Sequence, residues 1–372
     1  MTFSKEKLLA FLLFVVLMLY PPLMFGVFIS DKLRIFLFII ALFFLKVYCL
    51  DDLKMDKKIF KLLILFIIYL GALLVNTPNE GFWTAINFSA IILFSIIFFS
   101  VLNNDKYLKF RSTILKLYVL FFVVTGICIT LNFLINMVSG GFSQPFAFSG
   151  YDVKMSIFGF NATKNILGFN FHKNWFYFIE PSYMAFFCLI NIFFIEDKVT
   201  EKSRLFFFAN LLGGILSGSF LFYLGGILLW MSHLFLTRKK GTSIILLLLI
   251  PFTLQGLLYL SSASSYSDRL FRIILGADLI GKMSLSQFFF GYGNIIDLER
   301  GISAGVFSSF IEGGIFGLMV PLVLATIYCK GEKGLILLLI MGLFVLELFQ
   351  WPLFWGSIIL AGSLSKNKEG FY

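Results

Sequence analysis

Charged side chains are scarce in this sequence. Only 13% of its 372 residues are Asp, Glu, Lys or Arg, against about 25% in a soluble domain. A soluble chain of this length would fold as roughly two or three domains, but the polar surface to cover them is missing, and the apolar runs are too long for core helices. That shortage excludes soluble enzymes, nucleic-acid binders and secreted scaffolds together. Cysteine is scarce too. Cys49, Cys128, Cys188 and Cys329 lie inside or at the ends of apolar runs. None has metal-ligand spacing, so neither a zinc site nor a disulfide framework is supported, and no metal or cofactor is expected.

What the chain has in abundance is apolar: 59% hydrophobic residues, 51 of them Phe, and a mean hydropathy of +0.95. Residues 1–372 read as a single all-α, polytopic integral membrane domain whose first partner is the lipid bilayer. A helix needs about 20 apolar residues to cross a ~30 Å hydrocarbon core. Runs of that kind are Leu8–Ile29, Leu33–Leu50, Ile59–Val75, Trp83–Leu102, Ile114–Val138, Trp175–Ile195, Leu205–Leu216, Phe220–Leu236, Ser243–Leu260 and Ala304–Tyr328. Gly334–Gly362 is long enough for two short helices broken at Gln350-Trp351-Pro352, where proline removes a donor and disfavours helix in the residue before it. The count is twelve spans, or eleven if that break is only a kink. Ser217-Gly218-Ser219 is the weakest of the turns. The first run has no Ala-x-Ala site after it and is expected to stay as an anchor rather than be cleaved.

Alternate connections between these runs hold unequal numbers of cations, 20 Lys and Arg in one set and 9 in the other, with Lys46 inside the second run. The richer set is expected in the cytoplasm, which places both termini there and favours twelve spans over eleven. The two long connections, 139–174 and 261–303, then fall on the outer face. Connections beyond about 12–15 residues are usually functional or disordered. These contain aromatics, Gly turns and apolar pieces such as Leu285–Tyr292, so they are expected to fold against the membrane surface and to carry the activity.

Seven of the nine outer cations sit in the two loops: Lys154, Lys164 and Lys173, then Arg269, Arg272, Lys282 and Arg300. Ordinary solvated loop charge and an anion site both fit. In the second reading Arg269 and Arg272, at i and i+3, would share a helical face and grip one diphosphate through their guanidinium forks. Glu180, in Trp175-Phe176-Tyr177-Phe178-Ile179-Glu180-Pro181-Ser182, is a carboxylate among bulky apolar residues. It suits proton transfer, or equally an interfacial role beside Pro181 in a first helical turn. His172 borders the first loop and is a further candidate, whereas His233 reads as a packing residue. Glu347 is an ionisable group inside an apolar run, functional by default. Gly291-Tyr292-Gly293 lacks the third glycine of a dinucleotide fingerprint and reads as a turn.

Three segments together resemble the Wzy-type O-antigen and capsule polymerases, which are related to the O-antigen ligases. Lys173-Asn174 followed by Phe178-x-Glu180-Pro181-Ser182 is similar to the family's Arg-Asn…Phe-x-Glu-Pro segment, with Lys173 in the Arg place. Ser267-Asp268-Arg269, then Gly291-Tyr292-Gly293, is similar to its outer-loop Arg followed by Gly-x-Gly. Glu312-x-Gly314-x-x-Gly317 opens the next helix as in both polymerases and ligases. The resemblance runs from Lys173 onward. Ser303 stands where ligases carry His, which argues against a ligase, and Phe220 stands where many polymerases carry Arg.

The resemblance implies a GT-C-like, metal-independent membrane glycosyltransferase in the bacterial cytoplasmic membrane. Its substrates would be undecaprenyl-diphosphate-linked oligosaccharide repeats, with a chain-length regulator and a flippase as partners. Glu180, Arg269 and Arg272 become the candidate catalytic residues, and Lys173, Asn174, Arg300 and His172 the candidate substrate-binding ones. The alternatives are a multi-pass transporter or flippase for lipid-linked or free sugars, an O-antigen ligase-like transferase, and a non-catalytic scaffold for polysaccharide assembly. Charges that stay at helix ends favour the interfacial enzyme over a transporter, which would place them at mid-membrane.

Overall fold

Helices make up the body of the molecule because almost every long segment is apolar on all sides, and in lipid a helix satisfies its own backbone. The computed structural model describes residues 10–15, 35–36, 39–41, 43, 57–78, 81–139, 144–148, 151–156, 159–166, 169–175, 181–196, 199, 203–237, 274–293, 305–346, 348–350 and 352–365. The helices are α1 (Lys57–Val75), α2 (Phe82–Leu102), α3 (Leu108–Ser139), α4 (Pro181–Ile190), α5 (Ser203–Leu216) and α6 (Phe220–Thr237). Residues 274–281 form α7. They are followed by α8 (Leu285–Phe290), α9 (Gly305–Tyr328), α10 (Lys333–Val345) and α11 (Pro352–Ser365).

Among the described residues, Phe82–Leu102, Leu108–Asn136 and Val306–Tyr328 are long and apolar enough to cross a membrane, and six shorter apolar helices accompany them. The chain is a helical membrane protein. The expected spans Leu8–Ile29, Leu33–Leu50 and Ser243–Leu260 lie wholly or largely outside the described residues. The ends of several runs shift. α3 begins six residues before the expected Ile114, because the stretch Leu108–Thr113, with Lys109 and Arg111, continues the helix beyond the apolar run. The suspected break at Gln350-Trp351-Pro352 is a real one: α10 ends at Val345, Leu346 is extended, a 3-10 turn covers Leu348–Gln350, and α11 starts at Pro352.

Packing differs from a soluble bundle in that the exposed helix faces are apolar as well as the buried ones. On α3 the stripe Leu120, Val124, Ile127, Leu131 and Leu134 is exposed, while Ile114, Tyr118, Phe122 and Ile129 are buried. An exposed apolar stripe at helical spacing is the surface a lipid would cover. α4 is buried from Ser182 to Ile190 and forms the centre of the body. It then widens into a π turn over Asn191–Ile195.

Between α3 and α4 the first long loop adds a four-stranded antiparallel sheet: β1 (Gln144–Phe148), β2 (Tyr151–Ser156), β3 (Gly159–Ile166) and β4 (Phe169–Trp175), in sequence order. The helical reading therefore holds for the membrane body and not for this loop. The physical reason is a period of two: Tyr151, Val153 and Met155 alternate with Asp152, Lys154 and Ser156, a pattern suited to strands. Trp175, expected to open a span, closes β4 instead, and the helix starts at Pro181. The sheet packs on α3, α4 and α5.

Two sets of contacts tie helix ends together at opposite poles. At one, Lys330 on the turn after α9 donates to Asn103 after α2 and lies 5.9 Å from the Phe99 ring. At the other, the residue after α1, the turn after α8 and the first part of α9 meet.

Candidate functional site

The second meeting point is built from two glycine-rich segments. α8 is closed at its start by a reciprocal pair: Ser284 Oγ accepts from the Gln287 N–H at 3.3 Å and Gln287 Oε1 from the Ser284 N–H at 2.9 Å, a capping box. It ends at Gly291, φ +73°, and Gly293 follows at φ +81°. α9 is interrupted at Gly314, with φ 62° and ψ −157°. That break frees carbonyls one turn earlier, and the glycine turn takes them: the Tyr292 N–H donates to Ile311 O at 2.7 Å and the Gly293 N–H to Glu312 O at 3.0 Å.

The interlock leaves no room for side chains. A Cβ on Gly291 would strike the Glu312 carbonyl, one on Gly293 the Asn76 carbonyl, and one on Gly314 the backbone of Phe289 and Phe290. Asn76, just beyond α1, donates from Nδ2 to Gly291 O at 2.6 Å. The Gly-Tyr-Gly read from sequence as a turn is a turn, and its partner is the Glu312-Gly313-Gly314 segment.

Glu312 is the carboxylate of this junction. It is 7% exposed on a membrane-length helix, and Ser308 Oγ donates to its Oε1 at 3.1 Å. The buried Tyr69 of α1 lies within electrostatic reach. A carboxylate held this way can accept hydrogen bonds or hold a proton. Sequence reasoning placed Glu312 in a motif but gave it no role. The signal was there: it is an ionisable residue inside the apolar run Ala304–Tyr328, the same criterion that singled out Glu347.

Of the residues expected to form the site, the described structure places only those on the sheet. His172, Lys173 and Asn174 are on β4, in register with Thr163, Ala162 and Asn161 of β3. Lys154 pairs in register with Pro145 and Asn161, and Lys164 with Phe171. Glu180, Arg269, Arg272, Arg300 and Glu347 lie outside the described residues. Pro181, directly after Glu180, opens α4. Lys282 forms an exposed i,i+4 pair with Asp278 at 2.6 Å, the ordinary arrangement of a solvated charge pair.

No family model, no curated protein and no solved structure matches this chain.

Proposed function

We propose that this chain is a metal-independent membrane glycosyltransferase that polymerises undecaprenyl-diphosphate-linked oligosaccharide repeats at the outer face of the bacterial cytoplasmic membrane. The polymer would be O-antigen, capsule or exopolysaccharide. The observation that carries the proposal is the meeting of Gly291-Tyr292-Gly293 with Glu312-Gly313-Gly314. The Gly-Tyr-Gly part of one resembling segment and the Glu312-x-Gly314 part of another are hydrogen-bonded neighbours, which supports reading the two together.

In this reaction the bond from the anomeric carbon of the growing chain to its lipid diphosphate breaks. A new glycosidic bond forms to a hydroxyl of the incoming repeat. Glu180 takes the hydroxyl proton as general base, and Arg269 and Arg272 stabilise the charge developing on the leaving diphosphate. Lys173, Asn174, His172 and Arg300 would hold the sugars and phosphates, and the polyprenyl tails would lie among the helices. Both termini are cytoplasmic in this scheme. The test is purified protein in liposomes with a lipid-linked repeat, read as a polymer ladder on a gel. A ladder supports the proposal, and unchanged monomeric repeat from folded protein refutes it.

One observation favours a second reading. A buried carboxylate beside a break in a membrane helix, Glu312 next to Gly314, is also the arrangement of a transporter or flippase for lipid-linked or free sugars. The same liposomes discriminate: a transporter moves the repeat across the bilayer without lengthening it.

A further inference from the structure

The hairpin α7–α8 carries an apolar face that the described residues leave substantially exposed. Leu285 is 76% exposed, Phe288 38% and Phe289 39%. At i, i+3 and i+4 they share one side of α8. The hairpin also exposes polar groups, the Asp278–Lys282 pair and the Ser284 cap, and on α7 the apolar Ile274. The face is not isolated. The Phe288 ring meets Phe310 at 5.4 Å between centroids, and Phe289 and Phe290 meet Phe316 at 6.0 and 5.8 Å. Phe310 and Phe316 belong to the first half of the membrane-length segment Val306–Tyr328, and Met319, one turn further along, is exposed on its flank. The apolar surface of α8 therefore runs on into a surface that lipid would cover.

The hairpin is also fixed in place. Asn76 and the Ile311 and Glu312 carbonyls hold the turn that follows α8, and the Tyr292 hydroxyl donates back to Leu279 O at 3.4 Å. A short helix anchored to the flank of a membrane span, polar on one side and Leu/Phe on the other, is built to lie along a bilayer surface. Such helices sink their apolar face about 5–10 Å into the headgroup and acyl boundary.

We propose that the Leu285–Phe288–Phe289 face of α8 is an interfacial membrane anchor, seated in the acyl-chain boundary of the bilayer beside α9, with Asp278 and Lys282 left in water. Through the Gly291–Gly293 turn this anchor would set the height of the Glu312 segment relative to the lipid surface. The proposal holds whether the chain polymerises its repeats or transports them, since it concerns the bilayer alone.

The test is site-directed spin labelling of the full chain in phosphatidylethanolamine–phosphatidylglycerol liposomes. Leu285→Cys, Phe288→Cys, Phe289→Cys and, as the aqueous reference, Asp278→Cys are each labelled with a nitroxide, and the unsubstituted protein's signal is subtracted. Collision with oxygen, which concentrates in lipid, is compared with collision with a water-soluble nickel chelate. The ratio of oxygen to chelate accessibility is expected to be several-fold higher at 285 and 289 than at 278. Ratios at 285 and 289 equal to that at 278 would put the face in water and overturn the proposal. Low collision with both reagents would show that another protein surface covers the face, and would overturn it as well. Leu285 is the most exposed of the three, so its substitution tests the surface without removing buried packing; agreement at 288 and 289 guards against a local effect.

Discussion

Asn76 and Gly291 stand 215 residues apart in the chain, yet the Asn76 side-chain amide donates to the Gly291 carbonyl at 2.6 Å. This contact joins the end of α1 to the glycine turn, and the turn in turn caps the broken start of α9. Three elements thus share one backbone junction, and a buried carboxylate, Glu312, lies at its centre.

The junction should be intolerant of a single methyl group. Gly291→Ala and Gly293→Ala would each force positive φ on a residue with a Cβ, about 1–3 kcal/mol in itself, and drive that Cβ into facing backbone. Both variants are expected to lower the thermal midpoint of detergent-solubilised protein sharply or to fail to accumulate. Gly281→Ala is the control, because nothing lies within 4 Å of its Cβ position. Melting curves in which all three variants match the parent would show that the interlock adds nothing to stability.

Much of the body was legible because the bilayer imposes one length and one polarity. Runs such as Ile59–Val75 and Ala304–Tyr328 appear as helices within a residue or two at each end. The sheet was not legible to the same method. A search for runs of about 20 apolar residues passes over strands of five to eight, and Trp175 was absorbed into the span that follows. Nor could pattern alone bring the Gly-Tyr-Gly turn to Glu312, since the contact depends on carbonyls released by Gly314 and on the position of α1. The candidate site was legible only as motifs. The one motif pair that the described structure joins had been given no catalytic part.

Inside the body, Tyr118 of α3 is expected to be worth more than its packing. Its hydroxyl donates to Asn191 Oδ1 at 2.8 Å and lies 2.9 Å from Ser357 Oγ. Asn191 in the π turn passes the chain on to Asn210 at 2.7 Å. All four residues are fully buried, so Tyr118→Phe leaves Asn191 short of a partner. Interhelical hydrogen bonds in membranes average about 0.6 kcal/mol, and an orphaned buried group costs about 1–3 kcal/mol. A loss of about 1–2 kcal/mol is expected from denaturant unfolding in mixed micelles. Ser357→Ala should cost less, because the single Ser357 proton is shared between Tyr118 Oη and Leu353 O in its own helix, so the interhelical bond is only partly made. The double variant should fall short of the sum, and strict additivity would show that the two hydroxyls do not interact.

The orientation can be tested by thiol labelling, with two of the positions exposed in the structure. Lys282 is exposed beside the Gly291 junction, and Lys333 is exposed beside the opposite Asn103–Lys330 pole. In the proposed topology cysteines replacing Ser143, Ser265 and Lys282 react with an impermeant thiol reagent added to intact cells. Cysteines replacing Lys239 and Lys333 react only after permeabilisation. Labelling at Lys239 and Lys333 from outside would invert the molecule and move the proposed site to the cytoplasm.

The last prediction separates a diphosphate clamp from solvated loop charge, and the base from a bystander. If Arg269 and Arg272 grip the leaving diphosphate, net charge alone does not suffice, because the single ammonium of Lys replaces a bidentate guanidinium poorly. Arg269→Lys should lose much of the polymer ladder and Arg269→Ala nearly all of it. Arg272 should follow with a milder loss, since only Arg269 falls on the resembling segment. Glu180→Gln keeps the shape of the side chain and removes its basicity, so it should slow polymerisation by about 10²–10⁴-fold while the protein inserts normally. Solvated charges would show none of this, since exposed substitutions usually change stability by less than about 0.5 kcal/mol. Ladders are read in cells lacking the native gene, with membrane levels of each variant measured alongside. Full ladders from the alanine variants at normal levels would remove the clamp, and with it the main chemical reason to prefer a polymerase over a transporter.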